Sequence, residues 1–172
     1  MERSIYVLDA NVFIEAARHY YAFDLHTRFW DILNDHAENG VIESIDWVKK
    51  ELEKGKGKKG EEDELARWAN DIFIHAFHST DERDIIESYG RVMTWVQEQS
   101  QYTDAAKAEF ANEPDGWLVA YAMAQKGRVV VTHEVLRPDV RTRIPIPNVC
   151  EPFHIRYIDT FAMLRELGAR LA

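Results

Sequence analysis

Ile5-Tyr6-Val7-Leu8-Asp9-Ala10-Asn11 is a short apolar run that stops at a carboxylate. Arg128-Val129-Val130-Val131-Thr132-His133-Glu134 repeats the arrangement toward the other end of the chain. Runs this short and continuous, rich in β-branched and aromatic side chains, read as strands buried on both faces. Between and beyond them, apolar residues recur at helical spacing. The stretch from Val12 to about Tyr20 predicts a first helix. Phe29, Ile32, Leu33, His36 and Ala37 share one face of a second, which Asn39-Gly40 stops. Val41-Ile42-Glu43-Ser44-Ile45 reads as a strand, and Asp46 as the cap of a helix carrying Trp47, Val48, Glu51 and Leu52. Helical periodicity returns at Leu65, Trp68, Ala69, Ile72 and Phe73, and again from Ile85 to Val96. Phe73 to Phe77 reads as a short extended piece between these two. Trp117 to Ala124 is apolar all round, as in a helix buried between layers. Gly127 closes that helix, Ile155 to Ile158 predicts a last strand, and a final helix buries Phe161, Leu164, Leu167 and Leu171. Strands alternating with helices predict an α/β fold with a mainly parallel sheet covered on both faces. We expect a single domain over residues 1–172, with a helical insertion at about 62–112.

Composition narrows the function classes. The 172 residues carry 21 basic and 30 acidic side chains, a net charge of −9. That balance opposes broad electrostatic capture of nucleic acid, yet leaves room for a local basic patch or a metal bridging acids to a phosphate. Cys150 is the one cysteine, which excludes an internal disulfide and a multi-cysteine zinc site. No apolar run approaches the roughly 20 residues that span a bilayer. The beginning, Met1-Glu2-Arg3-Ser4, does not resemble a secretory signal, so the expected setting is cytoplasmic, away from membranes.

In an open parallel sheet, ligands gather beyond the carboxyl ends of the strands. Asp9 and Asn11 follow one strand, and Thr132, His133 and Glu134 follow another. Glu51, on the helix after the second strand, and Asp115, opening the buried helix, could complete a ring, with Glu113 beside Asp115 and Asp104 one helix earlier. Taken singly, each has an ordinary explanation as a turn former, a helix-end charge or a solvated residue. Gathered, four carboxylates would repel one another, and one or more would hold a proton unless a cation sat among them. Oxygen-only ligands suit Mg²⁺ or Mn²⁺, which can lower the pKa of a bound water and neutralise a leaving oxygen. The chemistry implied is phosphodiester hydrolysis.

Tyr6-Val7-Leu8-Asp9-Ala10-Asn11-Val12-Phe13-Ile14 resembles the opening signature of PIN-domain nucleases. Ile45-Asp46-Trp47-Val48-Lys49-Lys50-Glu51-Leu52 is similar to the segment bearing that family's second acid. Asp115-Gly116-Trp117-Leu118-Val119-Ala120 resembles its Asp before an apolar helix, and Val129-Val130-Val131-Thr132-His133-Glu134 its strand ending in Thr and an acid. The last acid is more often Asp, so this chain resembles a longer, VapC-like branch with a Thr-His-Glu ending. The resemblance implies a three-layer α/β/α PIN-like fold. It also implies a metal-dependent endoribonuclease, commonly the toxin of a toxin–antitoxin pair, acting on RNA without a covalent intermediate. In that picture Asp9, Glu51, Asp115 and Glu134 hold Mg²⁺ or Mn²⁺, while Asn11 and Thr132 orient carboxylates or water. The expected partners are RNA, a cognate antitoxin and a possible second copy of the chain.

Lys49, Lys50, Lys54 and Lys56, next to Glu51, and Arg137, past Glu134, are candidate phosphate contacts, against the plainer reading of solvated surface charge. His75/His78 and Cys150/His154 have metal-like spacing without the further ligands a zinc site needs. Trp47 and Trp117 are better explained by packing than by base stacking. Asp9-Ala10-Asn11 lacks the second Asp of an aspartyl phosphatase, and no Gly-rich phosphate loop is present. The rival reading is a catalytically inactive PIN-like interaction module, suggested by Glu134 in place of Asp and by the long middle segment.

Overall fold

The computed structural model describes residues 3–54 and 63–172. Its centre is β1 (Ile5–Leu8), flanked by β2 (Ile42–Ile45) and β4 (Arg128–Val131). Two-residue strands, β3 (Phe77–His78) and β5 (Tyr157–Ile158), form the edges. The order is β3-β2-β1-β4-β5 and every pairing is parallel. A parallel sheet needs a crossover after each strand, and the apolar helices supply them.

The first crossover is α1 (Ala10–Glu15), which runs into a π-helical turn over Ala16–Tyr20, and then α2 (Thr27–Glu38). Gly40, at φ +70°, ends α2 as the Asn39-Gly40 pair predicts. After β2 come α3 (Asp46–Glu53) and α4 (Glu64–Asp71). After β3 come α5 (Arg83–Glu98), α6 (Asp104–Asn112) and α7 (Asp115–Met123). The chain finishes with α8 (Ile146–Cys150) before β5 and α9 (Thr160–Glu166) after it.

Register shows how the sheet is covered. Tyr6 and its partner Ile42 face the same way, and the Tyr6 hydroxyl reaches Glu166 on α9 at 2.7 Å. Glu43, one residue on, faces the opposite side and accepts from the Tyr121 hydroxyl of α7. So α7 and α9 cover opposite faces, as the three-layer reading expects. The α7 helix is enclosed in turn by α5 and α6, and Gly116 makes that possible. A Cβ at Gly116 would stand 3.0 Å from Cε1 of Phe110 and 3.1 Å from Cε2 of Tyr89. Beside this contact, Tyr89 stacks on Trp117 at 3.8 Å and Trp117 on Trp47 at 5.7 Å, tying α5, α7 and α3 together.

Several boundaries differ from expectation for local reasons. The first helix begins at Ala10 rather than Val12, because Asp9 already has the extended backbone of a helix N-cap. Asp46 is the first helical residue, and Ile45 occupies the cap position. The Asp46 carboxylate accepts instead from Trp47 N–H at 2.8 Å and from the backbone N–H and hydroxyl of Thr80 at 3.1 and 2.9 Å. Within Phe73 to Phe77, Ile74–Ala76 form a 3₁₀ turn, and the chain is extended only from Phe77. The final helix stops at Glu166, with Gly168 at φ +65° just after it, so Leu171 packs from beyond the helix. Segment 62–112 contributes β3 to the sheet edge and α6 to the wall of the cavity described next. Among the described residues, no helix is long and apolar enough to cross a membrane.

Candidate active site

The carboxyl edge of the central strands opens into a cavity of about 310 Å³. Leu8 and Val131 are register partners, so the residues that follow them, Asp9 and Thr132, emerge side by side. The Asp9 backbone N–H bonds to the Val131 carbonyl at 3.0 Å, which locks this edge. The Thr132 hydroxyl donates to Oδ2 of Asp9 at 2.9 Å and accepts from the Glu134 N–H at 3.1 Å. One buried threonine therefore holds the first acid and fixes the backbone that carries the last.

The structure brings Asp9, Asn11, Glu51, Asp115 and Glu134 around this one cavity, with Thr132 behind Asp9. Asp115 arrives from the first position of α7, after Pro114, where the helix dipole favours a negative charge. Glu51 arrives from α3, with its carboxylate 3.4 Å from Lys54. Glu134 is held by the chain itself: one oxygen pairs with Arg143, and the other accepts from the Ile146 N–H at 3.0 Å. Asn11 is exposed at the rim. The sequence also places Glu113 beside Asp115, and it lines the wall here. Asp104 lies outside the cavity.

Glu109 and Arg143 also line the cavity, and sequence reasoning did not place them there. The four-residue interval between Glu109 and Glu113 is the signal that puts both near one helix face. Arg143 belongs to the basic run Arg137, Arg141 and Arg143 just past Glu134, and an irregular loop carries it back to that acid.

Charge crowding is expressed in the protonation of these groups. Asp9 is only 3% exposed. Burial first, and the Glu134 charge second, push its carboxyl up to about 7, while Thr132 and the backbone N–H groups of Ala10 and Asn11 pull the other way. Asp115 lies well above the usual carboxylate range, through burial and then the charges of Asp9, Glu134 and Glu113, opposed by Arg143. Glu113 is also raised, by burial and by Glu109 and Glu51. The Asp115 carboxylate has no hydrogen bond or ion pair among the described residues.

This donor set is chemically suited to a hard dication. It offers oxygen only, it is short of positive charge, and it leaves Asp115 unpartnered. Among the described residues, no group of three His, Cys, Asp or Glu side chains converges to hold a metal ion. That does not conflict with Mg²⁺, which keeps several waters and is bound through one or two carboxylates plus substrate phosphate. Asp9 and Asp115 suit that arrangement.

The basic candidates are scattered. Lys49 pairs with Glu53, Lys50 lies 5.3 Å above the Trp47 ring, and Lys54 faces Glu51. Lys56 lies outside the described residues. Arg137 is exposed, and its guanidinium has no hydrogen bond or ion pair among the described residues. His133 bonds through Nε2 to the Thr160 hydroxyl at 2.9 Å. His75 bonds to Asn34, and His78 approaches Glu43 at 3.8 Å. Cys150 is buried, and its thiol lies far above its ordinary range because of that burial.

A search of curated proteins returned no match. Among solved structures, the fold is similar to a chain in the crystal structure of VapBC2 from Rickettsia felis bound to a DNA fragment from their promoter. The TM-score is 0.54 and the identity 19%, covering 90% of this chain and 98% of that one. The match spans nearly all of both chains, so the parallel sheet and its two helical layers are common to them. The family described as "Domain of unknown function (DUF4411)" matches residues 6–171, from the centre of β1 to beyond α9, and this chain belongs to that family.

Proposed function

We propose that the chain is a Mg²⁺- or Mn²⁺-dependent endoribonuclease of the VapC-like PIN type, the toxin half of a toxin–antitoxin pair. The observation that carries the reading is the crowding of Asp9, Asp115 and Glu134 at the carboxyl edge of a parallel sheet, with Asp9 raised to about 7 and Asp115 unpartnered. Such a cluster is poorly satisfied by the protein alone and well satisfied by a cation. The order of motifs along the chain and the fold held in common with a VapBC2 chain support it. The same likeness supports an antitoxin partner and leaves room for a second copy of the chain.

Asp9 and Asp115 would hold the ion directly, with Glu51 and Glu134 completing the acidic ring. The bound dication would supply an activated water and charge neutralisation at the phosphate. The chain's own residues do the rest. Thr132 fixes the Asp9 carboxylate by donating to Oδ2. Arg143 and the Ile146 N–H hold Glu134 in place. The leaving oxygen would take its proton from solvent or from Glu113, a raised carboxyl that is not among the ion's ligands, because no histidine lines the acidic cavity.

One observation favours a second reading, an inactive PIN-like interaction module: both oxygens of Glu134 are already engaged. A single comparison separates the two. Wild-type protein and Asp9→Asn are incubated with a mixed, structured RNA pool in Mg²⁺, Mn²⁺ or EDTA. Cleavage by wild type in metal alone is expected, with Asp9→Asn slower by at least about 100-fold. Cleavage that survives EDTA or the substitution would reject the nuclease assignment. Intact RNA in every lane would favour the interaction module.

A further inference from the structure

At the amino edge of the sheet, the end of the strands away from the acidic cavity, lies a depression of about 520 Å³. Ser4, Arg128 and Arg156 stand where β1, β4 and β5 begin and belong to its lining, as does Arg91 of α5. Its chemistry is the reverse of the acidic cavity. Arg91, Lys126, Arg128 and Arg156 line it, and among the described residues no carboxylate does. In a chain of net charge −9, a hollow with four basic side chains and no acid is a place built for an anion.

Two of the four cations are engaged within the fold. Arg156 pairs with Glu166, while Arg128 donates to the Tyr121 carbonyl at 2.6 Å and lies 3.9 Å from Glu43. Arg91 and Lys126 are exposed and have no hydrogen bond or ion pair among the described residues. The Arg91 guanidinium lies 5.8 Å from the centre of the Phe153 ring, which Trp95 braces edge-on at 6.2 Å. Phe153, Met123 and Ile155, each half-buried, form an apolar floor.

His154 adds a second kind of observation. It lines the same hollow and has φ +56°, the one non-glycine positive φ among the described residues. Its N–H donates to the Glu151 carbonyl at 3.1 Å, and the Ile155 N–H to the Cys150 carbonyl at 3.0 Å, in the turn that follows α8. Glycine takes such a position freely, whereas histidine is held there under strain. The imidazole is exposed and has no hydrogen bond or ion pair among the described residues, so packing does not account for it.

We propose that this depression is a second ligand site and that it takes a nucleoside monophosphate. The phosphate sits on Arg91 and Lys126 with the His154 imidazole donating to it, and the base lies on the floor of Met123, Phe153 and Ile155. Two unpaired cations match the nearly double charge of a phosphate monoester at neutral pH, where a carboxylate would supply one. The apolar floor suits a π-faced body, and a hollow of this size encloses a small molecule. The inference stands apart from the nuclease reading, because this lining and that of the acidic cavity have no residue in common.

AMP is titrated into the protein by calorimetry in EDTA, so that no dication in the acidic cavity can recruit it. We expect one AMP per chain. Arg91→Ala and Lys126→Ala should each weaken binding about tenfold, and adenosine and inorganic phosphate should each bind at least about tenfold more weakly than AMP. Both side chains are exposed and without ion pairs, so their removal tests the site without threatening the fold. His154→Gly should weaken AMP binding about fivefold without lowering the melting temperature, since glycine suits that backbone. Asp9→Asn should leave the titration unchanged. No AMP binding up to about 1 mM, binding indifferent to Arg91 and Lys126, or binding lost in Asp9→Asn would overturn the proposal. Inorganic phosphate or adenosine binding as tightly as AMP would overturn it too, the first marking a simple anion site and the second an apolar one. Wild-type affinity in His154→Gly would strike the imidazole from the contacts.

Discussion

Thr132 is a small residue with a large share in the arrangement, because its hydroxyl serves Asp9 and Glu134 at once. Valine in its place keeps the volume but removes both bonds, leaving a buried carboxyl without its donor and an N–H without its acceptor. Thr132→Val should lower stability by about 1–3 kcal/mol, read from the urea midpoint at constant slope. Asp9 has its own signature in pH. Its folded value near 7 lies above the ordinary 3.8, so between those limits the folded state keeps a proton that the unfolded chain has released. Folding is therefore favoured by Asp9 at low pH, and that advantage is lost as pH rises toward 7. Asp9→Asn carries no such penalty. In EDTA, the melting temperature of the variant minus that of wild type should be smallest near pH 4 and widen up to about pH 7. A constant difference across that range would show that Asp9 is not protonated in the fold. At this scale the sequence was informative where an acid stands at or just past the end of an apolar run, as Asp9 and Glu134 do. It showed Arg143 only as part of a basic run past Glu134, because its place opposite Glu134 depends on the path of a loop with no periodicity to read.

Among the elements, the contact of α7 with α5 and α6 is the most sensitive to a single atom. Gly116→Ala would place a methyl group at 3.0–3.1 Å from two aromatic rings that are themselves packed. The gain in helix propensity, up to about 1 kcal/mol, does not offset overpacking of about 1–3 kcal/mol. The expected net loss is about 1 kcal/mol in urea, with the Tyr89–Trp117 stack disturbed, which tryptophan fluorescence would report. Stabilisation by this substitution would mean that α5 yields more readily than its packing suggests. The principal strands and the long helices were legible because four or more residues suffice to display a period. Some short elements were not. β3 is two residues long and cannot show alternation, and the π-helical turn over Ala16–Tyr20 has the composition of an ordinary helix. Apolar spacing also overstates burial at the helix margins, since Ile72 and Ile86 are 52% and 47% exposed.

For the molecule as a whole, the proposed ion would make stability and ion binding one equilibrium. If Mg²⁺ binds only the folded chain, a concentration 100-fold above its dissociation constant should add about 2.7 kcal/mol. A melting temperature that rises with Mg²⁺ in wild type and not in Asp9→Asn, followed by calorimetry, would meet that expectation. An equal rise in both would assign the effect to ions elsewhere on the surface. The placement of β1 at the middle of the sheet carries a different consequence, one of timing. Asp9 leaves the ribosome before the other acids, yet the strand that completes its surroundings and the threonine that fixes it come more than a hundred residues later, the bond between them joining positions 123 apart. At synthesis rates of about 5–20 residues per second, the nascent chain spends on the order of 10 s with its first acid exposed and its last not yet made. Until then the growing polypeptide contains no cavity, so a cell making this protein has that interval, on every molecule, before the assembled acids can meet any substrate.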